Sequence, residues 1–115
     1  MTMTMITAAL LAAQVPAIAP ADQNSSDARC LIVTVMLAGG DNAELKAAGL
    51  IASQYYLGRL DGRSPGLDLK ALLTREAERI TQAEQGPLLV SCGAAMQKRG
   101  EALEAVGERM AKKAR

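Results

Sequence analysis

Two cysteines and one short aromatic–basic run hold most of the chemistry open to this chain. Cys30 and Cys92 are its only cysteines, and it has no histidine. The run Tyr55-Tyr56-Leu57-Gly58-Arg59-Leu60-Asp61-Gly62-Arg63 contains both tyrosines, and Phe and Trp are absent. A thiol pair can cross-link, bind a metal or attack a substrate. Two thiols without histidine make a poor zinc site, because such sites take four ligands. No CxxC motif is present, and no imidazole is available to activate a nucleophile. The remaining role is a structural disulfide, which needs an oxidising compartment.

The N-terminal stretch points to such a compartment. Met5 to Ala13 is an apolar run, continued past Gln14 to Ala21. Small residues at Ala19 and Ala21 stand at the −3 and −1 positions of an export-leader cleavage site. Residues 1–21 are therefore expected to be a signal peptide, leaving a mature chain that starts at Asp22. The apolar run is too short for a membrane-spanning helix, and Pro16 and Pro20 interrupt its end. Localisation is expected to be periplasmic or secreted, with no stable membrane insertion after cleavage. Joining two cysteines across about 60 residues lowers the entropy of the unfolded chain, a stabilisation of about 4 kcal/mol in the simple chain model. For a thin, nearly aromatic-free core, that is comparable to the whole net stability expected.

The elements that would position these residues read as helical. Ala28 to Leu37 is the first, ended by Gly39-Gly40. Its β-branched CLIVTVML core leaves a strand open, but Ser26 or Asp27 can cap a helix there and every later element has helical periodicity. Asp22 to Asp27 reads as a frayed polar lead-in. Asp41 and Glu44 form a capping-box-like pair before the second helix, which carries Leu45, Ala48 or Gly49, Ala52, Tyr56 and Leu60 on one face. Asp61-Gly62 and Ser64-Pro65-Gly66 break it. The third begins near Asp68, with Leu69, Leu72, Leu73, Ala77 and Ile80 inward and Arg75, Glu76, Glu78 and Arg79 as a solvated face. Gly86-Pro87 ends that segment and opens the fourth helix. The expected fold is all-α, one small domain over 22–115, with helices near 28–38, 42–60, 68–83 and 87–112 and a disulfide from the first to the fourth.

The fourth helix has the most regular pattern. Leu89, Cys92, Met96, Arg99, Leu103, Val106 and Met110 alternate three and four apart, a heptad seam interrupted by Arg99. Gly93, Gly100 and Gly107 recur every seven residues beside it. They suggest close approach of a partner backbone, against the alternative of drift in an Ala/Gly-rich chain. Two readings of the Tyr55–Arg63 run are also open. In one, Arg59 and Arg63 hold a small anion or partner peptide, with Tyr55 or Tyr56 as a platform. In the other, favoured because aromatics at helical spacing are more often core, Tyr56 is buried, Arg59 lies near the last helical carbonyls, and Asp61-Gly62 turns the chain.

Several functions are disfavoured. Net charge is +1, from 13 basic and 12 acidic residues, which argues against nucleic-acid binding by bulk charge. No glycine-rich phosphate loop has the required spacing, and Ser91 lacks a GxSxG setting. No enzyme activity, cofactor or metal is expected.

With the leader, the early and late cysteines and the charged last helix in view, the framework resembles the HdeA family of periplasmic acid-stress chaperones. Cys30 and Cys92 are the residues that carry over. The chain departs from that family in its longer intervening segment and its lack of the family's aromatic residues. The YYLGRLDGR run is more similar to small exported bacterial proteins of unknown function. The HdeA resemblance implies an all-α fold with one disulfide and acid-triggered exposure of apolar surface to unfolding clients. Without histidine, any acid trigger lies with carboxylates, which titrate near pH 4 on average. The expected function is an acid-responsive holdase or client-binding protein. The alternative is a structural or interaction protein that self-associates through the glycine-lined last helix.

Overall fold

The computed structural model describes residues 20–114, and residues 1–19 of the expected leader lie outside the described residues. Four helices follow in order: α1 (Pro20–Ala38), α2 (Ala43–Arg63), α3 (Leu69–Arg79) and α4 (Gln82–Lys113). No strand occurs among the described residues. The β-branched CLIVTVML segment is helical. Thr34 shows how such a residue fits: its hydroxyl donates to the Cys30 and Leu31 carbonyls at 2.8 and 3.0 Å, one turn back.

Helix α1 is the hub. It packs against each of the other three helices, while α3 packs on α1 alone and α2 meets α4 only lightly. A helix with neighbours on several sides needs a wide buried face. Ala28, Cys30, Leu31, Val33 and Thr34 are all buried, and so are Asn24 and Asp27. The remaining core comes from Tyr56 and Leu60 of α2, Leu72 of α3 and Cys92 of α4.

α1 starts at Pro20, eight residues before the expected helix, so Asp22 to Asp27 is ordered helix rather than a frayed lead-in. The spacing of Asn24, Asp27, Ala28 and Leu31 is already helical, and α2 supplies basic partners for the two polar members. At the far end, the Gly39 and Gly40 amides close the last turn onto Val35, Met36 and Leu37 carbonyls.

Helix α2 begins one residue later than expected. Asn42, not Asp41, is the cap, and its Oδ1 accepts from the Leu45 amide at 3.1 Å. Nor does Asp61-Gly62 stop the helix. It continues to Arg63, and Ser64 closes it by donating its amide to the Leu60 carbonyl. Gly49 is where α1 and α2 cross: a Cβ there would lie 2.5 Å from the Ala38 nitrogen and 2.8 Å from the Thr34 carbonyl oxygen. Backbone meets backbone at that point, and a methyl group has no room.

α3 begins near Asp68 as expected, and Asp68 is its cap, accepting from the Ala71 amide at 3.0 Å. The helix ends at Arg79 rather than near 83, because Ile80 and Thr81 are extended. Thr81 then opens α4, its amide reaching the Glu84 carboxylate at 3.5 Å in a capping-box arrangement. Gly86-Pro87 is therefore not a boundary. Pro87 lies inside α4, close enough to its start that the bond it forgoes is to the Ala83 carbonyl of the first turn. Glu84 also pairs with Arg29 at 3.1 Å, fastening this end of α4 to α1.

One charge lies on the inner face. Glu76 shares the buried side of α3 with Leu72 and is 2 % exposed, with Arg75 and Arg79 at 3.6 and 3.4 Å. It is not part of a solvated face. Ala77, expected inward, is exposed.

Candidate functional site

The disulfide and a tyrosine tie α4 to the hub. Cys30 and Cys92 are bonded, with their Cα atoms 5.5 Å apart and 62 positions between them in sequence. Both are buried. One turn of α2 brings Tyr56 to the same spot, where its hydroxyl donates to the Cys92 carbonyl at 2.5 Å. Burial raises the Tyr56 phenol above its usual pKa. The neighbouring Tyr55 and the Asp27 charge act the same way, and Arg59 opposes them.

Around this bond lies a charged knot. Arg59 Nε sits 3.0 and 3.1 Å from the two Asp27 carboxylate oxygens. Arg63 reaches the same carboxylate with Nη2 at 2.7 Å, and Asn24 Oδ1 with Nη1 at 2.9 Å. Asn24 in turn donates to the Ser64 hydroxyl at 3.1 Å. Burial works against the Arg59 charge, but its hydrogen bonds to Asp27, the Asp27 charge and Tyr55 outweigh it and raise its pKa. Arg59 therefore serves a carboxylate on α1, not the last carbonyls of α2. The two arginines of the YYLGRLDGR run are anchors between helices.

Tyr55 has a different environment. It is half-buried, its ring edge-on to Tyr56 with centroids 4.9 Å apart, and the Arg59 guanidinium carbon lies 5.8 Å from its centroid. It lines an open cleft of about 510 Å³ between α1, α2 and α4. The disulfide and Leu88 also line this cleft, as do Lys98 and Arg99 from α4. Arg63 is not among the lining residues. Of the aromatic–basic run, then, the fold brings Tyr55, Tyr56 and Arg59 to one cleft and commits Arg63 elsewhere. Of the cleft's other cations, Lys98 follows from no motif, while Arg99 is the residue that interrupts the heptad seam seven positions after Cys92. Only the turn of α4 beyond the disulfide carries them there.

Past that point α4 leaves the body. Every described residue from Gly93 onward is exposed except Met96, which is half-buried. The heptad seam is therefore bare: Leu103 is 72 %, Val106 45 % and Met110 66 % exposed. Gly93, Gly100 and Gly107 flank it, and a Cβ at any of them would meet nothing within 4 Å. Among the described residues, these three glycines accommodate no neighbouring backbone; Gly49, at the helical spacing of the α2 face, does. No helix among the described residues is long and apolar enough to cross a membrane.

Comparison with known proteins returned no matching family model, no matching curated protein and no matching solved structure.

Proposed function

We propose that this chain is a small exported binding protein for other polypeptides, with the projecting half of α4 as its contact surface and acid as the condition that enlarges it. The observation that carries the reading is the bare seam of Leu103, Val106 and Met110 on the half of α4 that is exposed among the described residues. About 20 residues of helix make a rod of roughly 30 Å, long enough to lie along a client segment. Val35 and Met36 of α1 and Leu50 and Ile51 of α2 are also exposed on the body.

The acid dependence rests on how the body is held. Three carboxylates make its ion pairs: Asp27 with Arg59 and Arg63, Glu76 with Arg75 and Arg79, and Glu84 with Arg29. Protonating them removes every ion pair found among the described residues and leaves their arginines charged. Self-repulsion then loosens the small core, and the disulfide limits how far the chain opens. A disulfide also accords with a periplasmic or secreted location.

The test is an acid titration between about pH 4 and 2, followed by circular dichroism, by binding of an apolar dye and by aggregation of a second, acid-unfolded protein. Loosening with protection of the client is expected. Leu103→Glu with Met110→Glu changes only exposed positions, so its helicity at neutral pH is expected to match the parent while protection falls severalfold. Full protection by that variant overturns the reading.

Self-association is the second reading, favoured by one observation: the open glycines beside the seam would let a second copy of α4 approach closely. Sedimentation equilibrium tests it. A dimer that Gly100→Leu converts to monomer supports it, and a chain that stays monomeric at high concentration excludes it.

A further inference from the structure

The cleft beside the disulfide has a composition that the polypeptide-binding reading does not use. Its charge is one-sided. Lys98 and Arg99 line it and have no ion-pair partner among the described residues, and Arg59 lines it with only its Nε engaged by Asp27. Its single carboxylate, Asp27, is already held by two guanidinium groups. Ser26 and Ser91 line the same space. Yet the walls are largely apolar: the buried disulfide, Leu88, and the ring of Tyr55, which Tyr56 and Arg59 hold in place. A cavity of about 510 Å³ falls within the range of small-molecule sites, which are mainly apolar with a few convergent polar groups.

We propose that this cleft binds an amphipathic organic anion, its carboxylate taken by Lys98, Arg99 and Arg59 and its apolar body laid against Tyr55, Leu88 and the disulfide. Arginine supplies a planar fork of donors suited to a carboxylate, and lysine a compact charge beside it. Desolvation by the apolar wall strengthens both contacts. The ring of Tyr55 offers a flat face for an aromatic or branched aliphatic body, which a bare inorganic anion lacks.

The probes are 1-naphthoate, its neutral analogue 1-naphthylmethanol, and inorganic phosphate, each titrated calorimetrically into the oxidised protein at neutral pH. Naphthoate is expected to bind at one site, at least tenfold more tightly than either other probe. Lys98→Ala with Arg99→Ala should weaken naphthoate at least tenfold and leave naphthylmethanol unchanged. Both side chains are exposed, so helicity should be retained. Tyr55→Ala should weaken naphthoate and naphthylmethanol alike. Leu103→Glu with Met110→Glu should leave naphthoate affinity unchanged, separating this site from the polypeptide-binding surface. Equal affinity for the charged and neutral probes overturns the proposal. So does undiminished naphthoate binding by the Lys98/Arg99 variant, or no naphthoate binding at all.

Discussion

The Tyr56 hydroxyl donates to the backbone carbonyl of Cys92, 36 residues downstream, so a side chain of α2 grips the disulfide-bonded residue of α4. Covalent bond and hydrogen bond thus converge on one residue, Cys92, which is 1 % exposed. Everything that α4 carries beyond it is oriented by this junction.

Tyr56→Phe keeps the ring and removes the donor. The expected cost is about 1 kcal/mol, typical of one net buried hydrogen bond, read from urea denaturation of the oxidised protein. The same hydroxyl predicts an alkaline limit. Its pKa is raised in the folded state, so the folded chain holds the proton more tightly than the unfolded chain. That contribution is fully present below the unfolded value of about 10 and is lost as pH rises through the higher folded value. Tyrosinate absorbance followed together with circular dichroism should show one tyrosine ionising as the fold loosens, and Tyr56→Phe should remove that coupling.

Replacing Cys30 and Cys92 with serine should lower stability by about 4 kcal/mol in the chain-entropy model. Because α4 meets the body mainly at α1, the loss should appear first as undocking of α4. Hydrogen exchange should then rise from Leu88 to Met96 before it rises in α1 and α2.

Asp27→Asn leaves Arg59 and Arg63 facing an amide in place of a carboxylate. Removing one partner of a buried ion pair costs 3–5 kcal/mol in general, but Arg59 is partly solvated here, so about 2 kcal/mol is expected. Urea denaturation of the oxidised variant at neutral pH measures the loss, and an unchanged midpoint would show that the pairs add nothing to stability.

Glycine substitutions should split in sign. Gly49→Ala places a methyl group against the Ala38 and Thr34 backbone, which cannot swing aside, and should destabilise by about 1–3 kcal/mol, the usual cost of overpacking. Gly93→Ala, Gly100→Ala and Gly107→Ala meet open space and should each stabilise helix α4 by up to about 1 kcal/mol in the monomer. Thermal unfolding of the four variants distinguishes the two kinds of position.

By itself the sequence determined the helical class, the number of helices and the cysteine pairing. These follow from local causes: apolar spacing near 3.6, a helix start near Asp68, Gly39-Gly40 after the last turn of α1, and two cysteines without histidine. Local rules placed the boundaries less well. Asp22 to Asp27 is polar and looked frayed, yet Asn24 and Asp27 become inner residues once Arg63, 36 positions beyond Asp27, lies across them. Glu76 read as solvated because it is charged, but its register puts it beside Leu72 against α1. Gly86-Pro87 read as a boundary, though the Thr81–Glu84 cap had already started α4. Gly93, Gly100 and Gly107 meet no other backbone among the described residues, while the crowded glycine is Gly49. Only the tertiary structure decided these points. Burial, close approach and the convergence of Arg59, Lys98 and Arg99 on one cleft depend on which distant segment lies opposite a residue, and no local period or propensity encodes that neighbour.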